Sequence, residues 1–219
     1  MPFSVFSQTY LFGILEGGGS VPVYPTLNIV CDGNSLTYGY EVPADSSYPS
    51  QLSETSPFST NGTVVYNLGV SGQSTIDMIN DYGTQVAPLY TSNPASVLVA
   101  WELTNDLYNT GNADTVINRM VRFCQMGQAT GFDVVVMTAI ARKIVGTTTG
   151  GDDQSSFDTK LAIVNSYIKL NYLSFANSMV PLDETFTDFN NTTYYKADGV
   201  HLKPFWYGVV CNLLIPQLL

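Results

Sequence analysis

The chain carries a single histidine, His201, and an aspartate, Asp198, stands three residues before it. Over that spacing the carboxylate reaches the imidazole. A carboxylate bonded to one ring nitrogen fixes the tautomer and leaves the other nitrogen free to accept a proton. The matching proton donor is a hydroxyl, too weakly acidic to attack an ester unaided. Ser35 is the best placed, because Gly33-Asn34-Ser35 forms a small-residue turn directly after an apolar run. Nucleophile, base and orienting acid together are the parts of acyl transfer through a covalent intermediate. Each residue also has a plainer reading, Ser35 as a helix cap and His201 as a structural histidine satisfied by Asp198. Metal and cofactor chemistry find no footing. Cys31, Cys124 and Cys211 are odd in number, widely spaced and set in apolar segments, which predicts buried thiols. No Gly-x-Gly-x-x-Gly phosphate fingerprint is present. No cofactor and no metal are expected.

The elements that must position these residues are legible as periodicity. Short, β-branched apolar runs at Leu27–Cys31, Thr63–Leu68, Val97–Trp101, Val134–Thr138 and Met179–Leu182 read as buried parallel strands. Between them a 3.6-residue period appears at Ile76, Ile79 and Val86, at Val116, Met120, Phe123 and Gly127, and at Phe157, Leu161, Val164, Ile168 and Phe175. A last helix is expected with Pro204 in its first turn. Strands alternating with helices call for a parallel sheet covered on both faces, a doubly wound α/β sandwich. In such sheets ligands bind beyond the carboxyl ends of the strands. The segments that follow strands are Asp32–Thr37, Gly69–Ser74 and Glu102–Asp106, and Asp198–His201 comes after the last strand by way of a loop. All are expected on one rim.

In order and spacing, Gly33-Asn34-Ser35-Leu36, Asn67-Leu68-Gly69-Val70-Ser71-Gly72, Thr104-Asn105-Asp106 and Asp198-Gly199-Val200-His201-Leu202 resemble the motif blocks of the SGNH/GDSL hydrolases. No Gly-x-Ser-x-Gly elbow of the α/β-hydrolase type is present. The resemblance runs from about residue 27 to 219. It implies a single-domain three-layer α/β/α sandwich with a five-stranded parallel sheet and flavodoxin-like winding. It also implies carboxylic ester hydrolysis, with Ser35 as nucleophile, His201 as base and Asp198 as its orienter. The oxyanion donors carried over are the Ser35 N–H, the Gly72 N–H and the Asn105 side-chain amide, which must meet the charge of a tetrahedral intermediate. Gly72 is expected to let its amide approach substrate closely. Gly69 and Gly72 as loop glycines, and Asn105 and Asp106 as helix caps, are the plainer alternatives. The chain departs from the pattern twice. Asn34 stands where aspartate is usual before the serine, and Leu103 stands where glycine is usual before Thr104-Asn105-Asp106. Leu103 is expected to narrow the acyl pocket if its side chain faces inward. Asp32, Trp101 and Glu102 read as packing or pocket-wall residues.

Composition narrows the partners. With 45% apolar and 12% charged residues the chain is globular, and 18 acidic against 8 basic side chains give a net charge of −10. That field repels phosphate backbones, so no nucleic acid is expected. No apolar run approaches a membrane span, and the first residues, without a basic group before the apolar stretch, make a poor signal peptide. Localisation stays open. Residues 1–26, closed by Gly17-Gly18-Gly19-Ser20 and two prolines, read as an apolar arm ahead of a domain over 27–219, and the arm is a candidate homo-oligomer contact. The long connection Ala141–Ser156 is a candidate lid or substrate wall. Sequons at Asn61, Asn190 and Asn191 matter only in a secretory pathway. The rim segments are rich in Ser, Thr, Asn, Gly and Tyr, with Tyr38, Tyr40, Tyr194 and Tyr195 near the motif blocks. Such residues suit a small hydroxyl-bearing substrate, and a short-chain or acetyl esterase acting on a small molecule or carbohydrate is expected. A lipase or thioesterase, a flavodoxin-like carrier and a catalytically dead assembly module are the competing readings.

Overall fold

The computed structural model describes residues 24–219, so the expected arm lies, but for its last three residues, outside the described residues. Five strands form one sheet: β1 (Leu27–Gly33), β2 (Val64–Asn67), β3 (Ala95–Trp101), β4 (Asp133–Met137) and β5 (Ser178–Val180). All neighbours are parallel and the order is β2-β1-β3-β4-β5. Parallel pairing demands a long crossover between successive strands, which helices supply. The helices are α1 (Ser35–Tyr38), α2 (Tyr48–Glu54), α3 (Thr75–Gln85), α4 (Thr104–Thr110), α5 (Ala113–Thr130), α6 (Gln154–Asn171) and α7 (Pro204–Leu214).

Both faces of the sheet are dry because successive side chains of each strand enter opposite cores. Val30, Leu98, Ala100, Val134 and Val136 pack with Met78 of α3, Phe123 of α5 and Val164 of α6. Their neighbours Ile29, Cys31, Val97, Val99, Val135 and Met137 pack with Leu52 of α2 and Tyr207 and Val210 of α7. The three cysteines are buried and free. Burial pushes the Cys31 thiol up to about 12 and Cys211 to about 11, so both sit as apolar packing groups.

The expected periodic helices form, and the sandwich is the architecture the sequence implied. Val86 and Phe175 lie just past the ends of α3 and α6 yet remain in the core. The short helices α1, α2 and α4 carry too few turns, at four to seven residues, to show a period, although helix caps were expected at Ser35 and at Asn105 and Asp106. Asp153 caps α6 by accepting from the Ser156 N–H, so the helix starts at Gln154, earlier than the expected loop end at Ser156. Among the described residues no helix is long and apolar enough to cross a membrane.

Candidate active site

The connections from β1 and β3 leave toward opposite edges of the sheet, which opens a crevice at their carboxyl ends, where ligands bind in such folds. From β1 the chain turns directly into α1. Asn34 sits in extended geometry and its Oδ1 accepts from the Leu36 N–H at 2.8 Å, so the asparagine caps α1 and Ser35 opens the first turn. Ser35 is buried but for a small part of its surface. The cap reading therefore belongs to Asn34, and the Ser35 hydroxyl faces another partner.

That partner is His201, whose Nε2 lies 2.9 Å from Ser35 Oγ across 166 residues of sequence. On the far side of the ring, Nδ1 lies 2.7 Å from Asp198 Oδ2. A carboxylate only accepts, so Nδ1 carries the proton and Nε2 is left to accept from the serine hydroxyl. Asp198 is itself fixed by its other oxygen, which accepts from the Val200 N–H at 2.9 Å and the His201 N–H at 3.0 Å. Burial pushes the Asp198 carboxyl up, but the bonds from the His201 ring and from the His201 and Val200 amides outweigh it and hold it below the usual range. Tyr40 covers the imidazole, its ring centroid 4.8 Å from that of His201. Lys196 Nζ donates to the Tyr40 and Glu41 carbonyls at 2.9 and 2.7 Å, tying the loop after α1 to the loop that bears Asp198 and His201.

The second and third motif blocks converge on the same edge. Gly69 packs so closely on α1 that an added Cβ would stand 2.2 Å from the Tyr38 nitrogen. At Gly72 an added Cβ would meet nothing within 4 Å, so the space beside its amide is open, and its φ of +83° lies in the left-handed region that favours glycine. No hydrogen bond among the described residues engages the Ser35 or Gly72 amide. Asn105 lies in the first turn of α4, and its Nδ2 donates to the Gln73 carbonyl at 2.9 Å, leaving one N–H to spare. Its Oδ1 accepts from Arg142 Nη1 at 2.7 Å, which settles which end of the amide is the donor. Asp106 points the other way, into a 2.7 Å ion pair with Arg119 of α5.

Sequence reasoning missed Arg142. It was part of the Ala141–Ser156 connection, and the only available signal was an arginine directly beyond an apolar strand in a chain with eight basic residues. Its guanidinium also lies 4.6 Å from the Tyr108 ring centroid. Burial lowers the Arg142 pKa, while Glu102, Tyr108 and Asp198 nearby favour the charge. The rest of the connection is fastened down: Gly150 N–H donates to the Tyr108 carbonyl at 3.0 Å, and Asp152 pairs with Lys160. Tyr194 and Tyr195 fall away from the rim, Tyr195 into the core and Tyr194 against Trp206, whereas Tyr38 and Tyr40 stay exposed. A cavity of about 420 Å³ adjoins α1, lined by Tyr38, Gly39, Glu41, Val42, Pro43, Ala44, Asn67 and Gly69. Among the described residues no three His, Cys, Asp or Glu side chains gather as a metal-binding group.

No family model matches the sequence, and no curated protein matches it significantly. Solved structures do. A lipolytic protein of the G-D-S-L family from Veillonella parvula DSM 2008 aligns over 87% of this chain and 97% of its own, with a TM-score of 0.70 at 17% identity. A GDSL-like lipase from Bacteroides thetaiotaomicron VPI-5482 covers 87% of each chain at TM-score 0.61 and 21% identity. A catalytic mutant of Axe2, an acetylxylan esterase from Geobacillus stearothermophilus, covers 90% of this chain and 95% of its own at TM-score 0.66 and 12% identity. The chain has the GDSL/SGNH-hydrolase fold.

Within the GDSL/SGNH fold the two departures from the motif pattern have local explanations. Leu103 has φ +150° and ψ −39°, a backbone shape that glycine tolerates and leucine rarely adopts. Its side chain is 0% exposed and packs in the core with Leu107 and Val116, so it does not narrow an acyl pocket as expected. Burial of the isobutyl group holds the strained backbone in place. Asn34 turns its Nδ2 toward Glu102 Oε1 at 3.1 Å. Glu102 is no plain wall residue, for it also accepts from the Asn105 N–H at 2.7 Å.

Proposed function

We propose that the protein is a serine ester hydrolase that works through an acyl-enzyme on short acyl esters, with O-acetyl groups of carbohydrates as the leading substrate class. The observation that carries this reading is the unbroken hydrogen-bond chain Ser35 Oγ–His201 Nε2 and His201 Nδ1–Asp198 Oδ2, at 2.9 and 2.7 Å. In the first half-reaction Ser35 Oγ attacks the ester carbonyl carbon while its proton passes to His201 Nε2. The carbonyl oxygen becomes an oxyanion, for which the Ser35 N–H, the Gly72 N–H and the spare Asn105 Nδ2–H are the donors. Collapse breaks the bond to the alcohol, which leaves with the proton from His201. A water then attacks the acyl-serine by the same route in reverse, releasing the acid and restoring Ser35. Asp198 stays ionised throughout, consistent with its depressed pKa, and compensates the imidazolium formed in each half.

Support for a short acyl group and a hydroxyl-bearing alcohol comes from the surroundings of α1. The adjoining cavity mixes Tyr38, Glu41 and Asn67 with small apolar groups, and the exposed tyrosines at 38 and 40 offer faces for stacking and hydroxyls for bonding. An acetylxylan esterase is among the similar structures. The test is fluorophosphonate labelling joined to hydrolysis of aryl esters from acetyl to decanoyl. Wild type is expected to label and to turn over acetate and butyrate best. Ser35→Ala is expected to do neither while keeping its fold by circular dichroism. A Ser35→Ala protein with wild-type activity would exclude the mechanism, and kcat/KM rising beyond about four carbons would replace the short-acyl reading with a lipase or thioesterase.

A further inference from the structure

The carboxyl end of β3 holds a buried carboxyl group that the mechanism does not use. Glu102 is 1% exposed. Its Oε1 accepts from Asn34 Nδ2 at 3.1 Å and from the Asn105 N–H at 2.7 Å, and its Oε2 accepts from Thr75 Oγ1 at 3.1 Å. These three donors come from three separate segments. Asn34 immediately precedes Ser35 and caps the helix that Ser35 opens. Thr75 is the first residue of α3, three positions after Gly72. Asn105 carries the side-chain amide. One carboxyl group therefore bonds to every segment that bears a proposed oxyanion donor.

We infer that Glu102 is a positioning residue that ties the three oxyanion-donor segments to one another and so sets the size of the oxyanion hole. A tetrahedral oxygen needs its donors at about 2.7–3.1 Å, and misplacement by about 1 Å costs roughly 10²-fold in rate. Asn105 Nδ2 and the Gln73 carbonyl join two of these segments directly, and Glu102 is the acceptor that all three share. The tie also explains Asn34. An aspartate at 34 has no amide N–H to donate and would set a second carboxyl group where Glu102 Oε1 now meets a donor. What the tie uses is reach and acceptor geometry, not negative charge. Burial, with Asp106 adding to it, pushes Glu102 up to about 8, so the neutral form prevails at neutral pH. A neutral carboxyl still accepts twice through its carbonyl oxygen Oε1, and the oxygen of its Oε2 hydroxyl still accepts from Thr75 Oγ1.

The inference rests on the ester-hydrolase reading, and two isosteric comparisons test it. Glu102→Gln keeps length and both acceptor bonds at Oε1, and its amide can meet the Thr75 hydroxyl. It is expected to hold kcat within about threefold of wild type. Glu102→Asp keeps the carboxyl group but retracts by one methylene and cannot span Asn34 and Thr75 together. Its kcat is expected to fall about 10- to 100-fold with KM within about threefold, because the hole is filled only in the transition state. A charge-based role predicts the opposite order, so Glu102→Asp as active as Glu102→Gln, or both variants equally impaired, would overturn the inference. If Glu102→Asp does not fold, Thr75→Val cuts one arm of the tie, and an unchanged kcat in that variant would overturn it as well. Hydrogen exchange at the Asn105 amide reads the tie without turnover. It is expected to quicken more than tenfold in Glu102→Asp and not in Glu102→Gln, and equal rates in all three proteins would refute the tie. Failure of the esterase reading has a different signature, an unlabelled and inactive wild type.

Discussion

Replacing Glu102 by glutamine should change how stability depends on pH, and the structure supplies the magnitude. In the unfolded chain Glu102 loses its proton near 4.5, and burial in the folded protein moves that loss to about 8. A carboxyl whose pKa is raised by folding contributes stability that is complete below the unfolded value and is lost as pH climbs toward the folded one. Between about pH 5 and 8 the native state therefore holds a proton that the unfolded state has released. The slope is at most about 1.4 kcal/mol per pH unit, or close to 3 kcal/mol between pH 5.5 and 7.5. Neighbours act in both directions: Asp106 raises the Glu102 pKa further, and the hydrogen bonds from the Asn105 N–H, Asn34 and Thr75 draw it down. Asp32, raised by burial from 3.8 to about 7, adds a slope of the same sign up to pH 7. Asp198, held low, acts only in acid, where its share of stability is lost as pH falls. Denaturant unfolding at pH 5.5, 6.5, 7.5 and 8.5 measures the effect. Wild type should weaken steadily with rising pH, and Glu102→Gln should weaken less, the two curves diverging by about 1–3 kcal/mol across the series. Parallel curves would mean that Glu102 ionises as freely in the fold as outside it, and the burial argument would fail.

If the proposed mechanism holds, Asn105→Ala should lower kcat by about 10²–10³-fold with little change in KM, since the charge its amide would meet exists only in the transition state. Steady-state kinetics on an aryl acetate check this, and an unchanged kcat would return Asn105 to the helix-cap reading. Leu103→Gly should relieve about 1–3 kcal/mol of backbone strain but lose about 2–5 kcal/mol of core packing. A net destabilisation of about 1–3 kcal/mol is expected in denaturant midpoints, and a stabilised variant would show that strain, not packing, dominates at this position.

Much of this was legible before any coordinates. Strand positions followed from β-branched runs because a sheet covered on both faces must be apolar at nearly every residue, as in Leu27–Cys31 and Val97–Trp101. The longer helices followed from their 3.6-residue period. Their placement put Ser35, Asn105 and the Asp198–His201 pair beyond strand ends, and the lone histidine is the imidazole the proposed mechanism has to work with. Residue chemistry together with local spacing determined that much. Other features depend on contacts that no local pattern encodes. Arg142 and Asn105 meet across 37 residues, and Glu102 gathers Asn34 and Thr75 across 68 and 27. The left-handed φ of Gly72 and the burial of the Leu103 side chain in the core despite its positive φ belong to the same class. The sequence specifies which groups can do acyl chemistry, because that depends on residue type and on which side of a strand a segment leaves. Only the tertiary structure decides what holds those groups at bonding distance, because that depends on side chains brought together from segments far apart in the chain.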